Sequence, residues 1–204
     1  MSDHLRYAGQ SADVQAEAVR AIVRQSPLLM ATLERLRALA LPDSWLVSGA
    51  IYNSVWNHLT GRPPLTGIND LDVFYFDAAD LSYEAEDRVI RRAEPVFFDL
   101  PLPVQIRNQA RVHLWYEQHF GTPYAPLAHS CEAVDRFAST THAVAARLDG
   151  QGGQDGIELY TPYGLEAMLA FRVVPNRKTE NRETHERKAA RARMVWPELA
   201  VEPW

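Results

Sequence analysis

Two carboxylates on one face of an otherwise apolar strand constrain this chain more than any other feature. Asp70-Leu71-Asp72-Val73-Phe74-Tyr75-Phe76 has the alternation of a β-strand. Leu71, Val73 and Tyr75 face one way. Asp70, Asp72, Phe74 and Phe76 face the other, which sets the two carboxylates about 7 Å apart along the backbone. A lone D-x-D also suits an exposed strand end with two solubilising Asp residues. Sharing a face with Phe74 and Phe76 favours a site instead, because like charges on an apolar face are costly without a cation. Such an oxygen-rich pair suits a hard cation, Mg²⁺ or Mn²⁺. Two such ions about 4 Å apart can activate an attacking hydroxyl and stabilise a leaving phosphate.

A second feature precedes it. Trp45-Leu46-Val47 reads as a short buried strand, Ser48-Gly49 as a tight turn, and residues 50–60 as a helix with Ile51, Val55 and Leu59 in line. A helix N-terminus behind a glycine offers unpaired N–H groups and the positive end of the helix dipole. That suits a phosphate, with the Ser48 hydroxyl as a further donor. Taken alone, Ser48-Gly49 is weak evidence, since a glycine after a strand is more often only a tight turn.

The 204 residues suggest one domain: N-terminal helices over 1–42, a core over 43–172 and a basic helical segment over 173–204. Hydrophobic residues are 47% and charged residues 23%, which argues against a disordered or fibrous chain. The net charge of -5 argues against a protein that coats nucleic acid, yet the charge is uneven. Residues 70–99 are strongly acidic and residues 172–193 strongly basic. These are either two solvated faces or an acidic centre for a cation beside a basic wall for an anion. Cys131 is alone, no stretch is long and apolar enough to cross a membrane, and the first residues carry no apolar leader. The expected compartment is the cytoplasm. His113, His119 and His129 lack the spacing of a zinc site.

The remaining pattern predicts helices over 13–25, 27–40, 80–93, 109–119, 131–138, from Pro162 to Arg172, and over 181–195. It predicts a strand over 104–107 and a hairpin of 143–148 with 157–160, joined by a loop through Gly150 to Gly156. Together these give an α+β fold with a small mixed sheet flanked by helices.

Strand, Ser-Gly, helix, and then D-x-D on a second strand is also the order found in the superfamily of DNA polymerase beta and kanamycin nucleotidyltransferase. SGAIYNSVWNHLTG (48–61), INDLDVFYFD (68–77), RNQARVHLWY (107–116), YTPYGLEAML (160–169), PNR (175–177) and the Lys188…Trp196-Pro197 ending extend the likeness over most of the chain. On these stretches the chain resembles a bacterial family of nucleotidyltransferase-like proteins within that superfamily.

The resemblance implies a nucleotidyltransferase-like fold and a mechanism. Asp70 and Asp72 would bind Mg²⁺. Ser48 and Gly49 would hold the β- and γ-phosphates of a nucleoside triphosphate. A third carboxylate on a neighbouring strand would complete the metal site and act as base for the acceptor hydroxyl. The position that aligns with it is Gln105, which can coordinate through its carbonyl but cannot accept a proton. Asp99 is the alternative if the strand is shifted. Arg107, Asn108 and Arg111 are expected near the cleft as substrate contacts, unless Asn108 only caps the next helix and the arginines lie on the surface. Lys188 and Arg191, three apart on one helix face, can reach the triphosphate or belong to an ordinary charged helix.

Two functions stay open. One is a Mg²⁺-dependent transferase acting on a hydroxyl of a small molecule or protein. The other is a non-catalytic nucleotide- or metal-binding module with a regulatory role, which Gln105 favours. RNA end modification comes third, because the net charge and the lack of an aromatic–basic stacking pattern oppose it.

Overall fold

The computed structural model describes residues 3–148 and 156–204. Ser11 starts α1 (Ala12–Gln25), its hydroxyl accepting from the Val14 N–H. Ser26 does the same for α2 (Pro27–Leu39), which opens on Pro27 and ends at Ala40 in the left-handed region. Then come β1 (Trp45–Val47), α3 (Gly49–Thr60), β2 (Leu71–Tyr75), α4 (Tyr83–Phe97) and β3 (Val104–Asn108). A 3₁₀ turn over Gln109–Leu114 leads to α5 (Tyr116–Phe120) and α6 (Cys131–Asp135). Next are β4 (Ala145–Leu148), β5 (Ile157–Tyr160), α7 (Glu166–Leu169), β6 (Arg172–Val173), α8 (Arg182–Val195) and β7 (Ala200–Val201).

The main sheet has the order β3-β2-β1-β4-β5. β2 and β3 are parallel, joined across α4, and the other neighbours are antiparallel. This is the expected mixed sheet, and β2 has the expected alternation: Leu71, Val73 and Tyr75 are buried while Asp72 and Phe74 are half-buried. One face packs Leu46, Leu71, Val73 and Val144 against Val23, Leu29, Leu33, Ile51 and Val55 of α1, α2 and α3. The opposite face carries a smaller cluster of Trp45, Val47, Ala145, Cys131 and Val134, with Phe74 and Phe137 at its margin. The second cluster covers that face only in part. It ends beside Val47, which is level with Asp72.

Several elements differ from the sequence expectation. The predicted 109–119 helix is a 3₁₀ turn followed by α5, because Trp115, with φ -126°, breaks the helical run. The predicted helix from Pro162 to Arg172 is only the single turn α7. Gly164 (φ 71°) and Phe171 (φ 53°) both take positive φ around it. Arg172 and Val173 instead form β6, paired in parallel with β7. The 173–204 segment therefore contains a strand as well as the helix. The hairpin forms as β4 and β5, while its loop over 149–155 lies outside the described residues. Among the described residues no helix is long and apolar enough to cross a membrane.

Candidate functional site

The turn from β1 into α3 is held in an uncommon backbone conformation. Ser48 has φ 57° and ψ -110°, outside the regions a non-glycine residue usually adopts. The sheet fixes it there. Its N–H donates to the Val144 carbonyl at 2.8 Å, and its own carbonyl accepts from Ile51 and Tyr52. Its hydroxyl makes no capping hydrogen bond. Gly49 is the first residue of α3, so the leading N–H groups and positive dipole end of that helix lie beside the Ser48 side chain.

The loop before β2 is pinned from α3. Asn53 donates its amide to the Gly67 carbonyl at 3.1 Å, and Asn57 donates to the carbonyls of Pro64 and Thr66 at 3.1 and 2.8 Å. The Trp196 indole N–H donates to Asn57 Oδ1 at 3.2 Å, tying the end of α8 to the same loop. These contacts place Asp70 opposite Ser48. A cavity of about 230 Å³ results, lined among others by Ser48, Gly49, Asp70, Asp72, Lys188 and Arg191. Six residues singled out in the sequence thus converge. Tyr52, Asn53 and Trp196 line the same cavity. Sequence patterning does not select them, although Tyr52 stands one helical turn from Ser48 and Gly49, and Asn53 and Asn57 are one turn apart on a largely apolar helix.

The electrostatics are those of a crowded, partly dry site. Burial pushes the Asp72 carboxyl up to about 6, and Asp70 beside it adds to the rise. Lys188 and Arg107 oppose the rise without cancelling it. Burial lowers the pKa of Lys188, with Asp72 pulling the other way. Tyr52 is pushed up to about 12 by burial, and it stacks on His142 with ring centroids 4.4 Å apart.

The strand register puts Gln105 level with Asp72 and Arg107 level with Phe74. Gln105 is therefore in the position aligned from the sequence, and its side-chain N–H donates to Asp70 Oδ2 at 2.9 Å. Asp99, the alternative, is an exposed carboxylate paired with Arg35. Arg107 and Lys188 both line a second, larger cavity next to the first.

Asn108 and Arg111 do not join either cavity. Asn108 is 2% exposed and serves the backbone: its Oδ1 accepts from the N–H groups of Asp77 and Ala110, and its amide donates to the Asp77 carbonyl. Arg111 forms a buried ion pair with Glu86 and donates to the Leu81 carbonyl. The expected substrate-contact role of these two residues gives way to capping and core pairing. The acidic run resolves in the same way. Asp80, Glu86, Asp87 and Asp99 are each matched with an arginine, while Asp70 and Asp72 face the cavity.

Among the described residues no three His, Cys, Asp or Glu side chains are grouped to hold a metal ion. The carboxylates that line the cavity are those of Asp70 and Asp72, beside the Ser48 hydroxyl. Such a set suits a hard cation whose remaining ligands are water and phosphate oxygens.

Comparison with known proteins fits this geometry. An NMR structure described as revealing a CCA-adding enzyme head domain superposes with a TM-score of 0.71 and 28% identity, covering 91% of this chain and 95% of that one. No curated protein matches the chain. The signature of a nucleotidyltransferase family matches residues 34–201, from within α2 to β7, and the chain belongs to that family.

Proposed function

We propose that this protein is a Mg²⁺-dependent nucleotidyltransferase that moves an NMP group from a nucleoside triphosphate to a hydroxyl of a small-molecule or protein acceptor. One observation carries the reading: the Ser48-Gly49 turn, the Asp70–Asp72 pair and the Lys188–Arg191 wall line a single cavity. Asp70 and Asp72 hold Mg²⁺ or Mn²⁺ in this reading, with nucleotide phosphates and water as the other ligands. The raised Asp72 carboxyl fits that assignment, since burial and the neighbouring Asp70 both oppose its ionisation and a bound cation would favour it. The bound cation neutralises charge on the phosphates. Ser48 and the first N–H groups of α3 hold the β- and γ-phosphates. Lys188 and Arg191 face the same anion and orient it. Phosphoryl transfer depends mainly on such positioning and charge neutralisation.

Gln105 supports a second reading, in which the site binds metal–nucleotide without turnover. It stands level with Asp72, where the superfamily places its third carboxylate, and an amide takes no proton from an acceptor hydroxyl. The likeness to a CCA-adding enzyme head domain raises a nucleic-acid end as acceptor. The net charge of -5 weighs against it, and a steep fall of RNA affinity with salt would bring it back.

The test is thermal unfolding with Mg²⁺ or Mn²⁺ and each of the four nucleoside triphosphates. A ligand at 100 times its Kd adds about 2.7 kcal/mol. A metal-dependent rise with at least one nucleotide is expected, and Asp70→Asn should remove it while leaving the circular dichroism spectrum unchanged. A rise that survives Asp70→Asn moves the site elsewhere.

A further inference from the structure

A groove of about 800 Å³ opens beside the Asp70–Asp72 cavity, and Lys188 lines both. The sheet register fixes which side it is on. Asp72 is level with Val47 and Phe74 is level with Trp45. Ser48, which follows Val47, therefore stands at the Asp70 end of β2, and Phe74 lies past Asp72 at the other end. Phe74 and its neighbour across the ladder, Arg107, line the groove. The carboxylate pair thus stands between the phosphate-side turn and the groove.

In an in-line displacement, the nucleophile and the leaving group lie on opposite sides of phosphorus. With the β- and γ-phosphates on the Ser48-Gly49 turn, an attacking hydroxyl enters from the groove. Its oxygen bonds to the α-phosphorus, the α–β bridging bond breaks, pyrophosphate leaves with that electron pair, and the hydroxyl proton passes to bulk water. The groove's volume falls within the roughly 300–1,000 Å³ of a typical small-molecule site.

The groove's chemistry is specific. Tyr116 lies at its aromatic centre, with ring centroids 4.3 Å from Tyr124, 4.6 Å from Phe120 and 6.1 Å from Trp115. These rings line the groove, and Phe120 is 56% exposed. The α8 cations Arg182 and Arg187 are matched by Glu186 and Glu183. Of the other cations lining the groove, Arg136 lies over the Tyr124 ring, while Arg107 and Lys188 stand at the end nearest Asp72 with no carboxylate in ion-pair contact among the described residues. An aromatic wall thus meets Arg107 and Lys188, two cations that also face Asp72.

We propose that this groove binds the acceptor, and that the acceptor is a small molecule carrying a planar ring and an anionic group along with its hydroxyl. The ring stacks in the Tyr116 cluster, and the anion meets Arg107, with Lys188 between it and the nucleotide phosphates. This rests on the transfer reading of the neighbouring cavity.

Two tryptophans allow a test on the intact chain, since Trp115 lines the groove and Trp196 the phosphate-side cavity. Indole N–H NMR signals, assigned with Trp115→Phe and Trp196→Phe, report each separately. Phenyl phosphate is the probe, with phenol and inorganic phosphate as controls. It should move the Trp115 signal saturably, leave Trp196 in place, and bind about tenfold more tightly than either control. Tyr116→Ala should remove the advantage over phosphate, and Arg107→Gln the advantage over phenol. Phenyl phosphate should still bind when Mg²⁺–nucleotide has moved the Trp196 signal. No response at Trp115, or affinity no better than that of phenol, overturns the proposal while leaving the transfer reading intact. Displacement of phenyl phosphate by nucleotide also overturns it, assigning the groove to the donor. Phenyl phosphate binding with no nucleotide response at Trp196 removes the donor, and with it the acceptor role.

Discussion

The Gln105 side chain donates a hydrogen bond to Asp70 Oδ2 at 2.9 Å. An amide there quiets a pair of like charges by satisfying one carboxylate oxygen, which a third carboxylate cannot do. Gln105→Glu should therefore act in opposite directions with and without metal. The metal-free variant should unfold at lower temperature than the wild type, because three carboxylates then share one end of the sheet. With Mg²⁺ it should gain more stability than the wild type does, and pyrophosphate release should rise. Calorimetry with and without Mg²⁺, run beside a pyrophosphate assay, checks both. Unchanged turnover would place the base elsewhere or support the binding-only reading.

Asp72 and His142 give the metal-free protein opposing pH dependences. Folded Asp72 keeps its proton to about 6, whereas in the unfolded chain it loses it near 3.8. Between those values the folded state binds more protons, so this group makes stability fall as pH rises, by on the order of 2 kcal/mol after discounting its partial exposure. His142 is buried as the neutral ring, its pKa lowered to about 3 mainly by burial. The unfolded state binds its proton below about 6.5, so this group makes stability fall as pH drops. In the wild type the two trends oppose each other between pH 4 and 6. Asp72→Asn removes one of them. Urea unfolding of that variant in EDTA should show stability rising steadily with pH from 4 to 6.5, more steeply than in the wild type.

What the sequence reveals and what it hides follows from the range of the interactions. Asp70 and Asp72 are legible because strand alternation is local, and Phe74 on the same face marks that face as more than surface. Ser48-Gly49 is legible because a strand, a tight turn and a helix follow within a few residues. The helix from Pro162 fails because Phe171 takes a positive φ that no side chain announces. The β6–β7 pair has two residues a side and joins positions 28 apart, so it leaves no periodicity to find. Arg111 looks like a free cation in sequence because Glu86, its buried partner, lies 25 residues away on α4. The aromatic groove is hidden for the same reason, since α5 meets α8 only in the folded chain.

Arg111 separates a structural role from a ligand-binding one. Its guanidinium pairs with Glu86, and the two side chains are 12% and 9% exposed. Glu86 also accepts from the Asn108 N–H at 2.8 Å. Arg111→Met leaves that carboxylate buried with too few donors, which should cost roughly 3 kcal/mol or more. Nucleotide affinity, measured by titration at a temperature where the variant stays folded, should match the wild type. A tenfold loss of affinity in a fully folded variant would return Arg111 to the binding site.

Gly67 and Trp196 form the tightest fit around the cavity. Gly67 has φ 73°, and a Cβ placed there would collide with the Trp196 ring. That ring is 2% exposed and anchored to Asn57, so it has little room to yield. Gly67→Ala should cost on the order of 2–4 kcal/mol, combining left-handed backbone strain with overpacking. It should also weaken Mg²⁺–nucleotide binding, because the same loop carries Asp70. Trp196→Leu alone leaves a void and should cost a similar amount. The two changes share one contact, so they should not add: the leucine makes room for the new methyl group, and the double variant should be more stable than the sum of the singles by about 1 kcal/mol or more. Urea denaturation of the four proteins measures this coupling, and simple additivity would show that the close approach of residues 67 and 196 does not set the position of the loop.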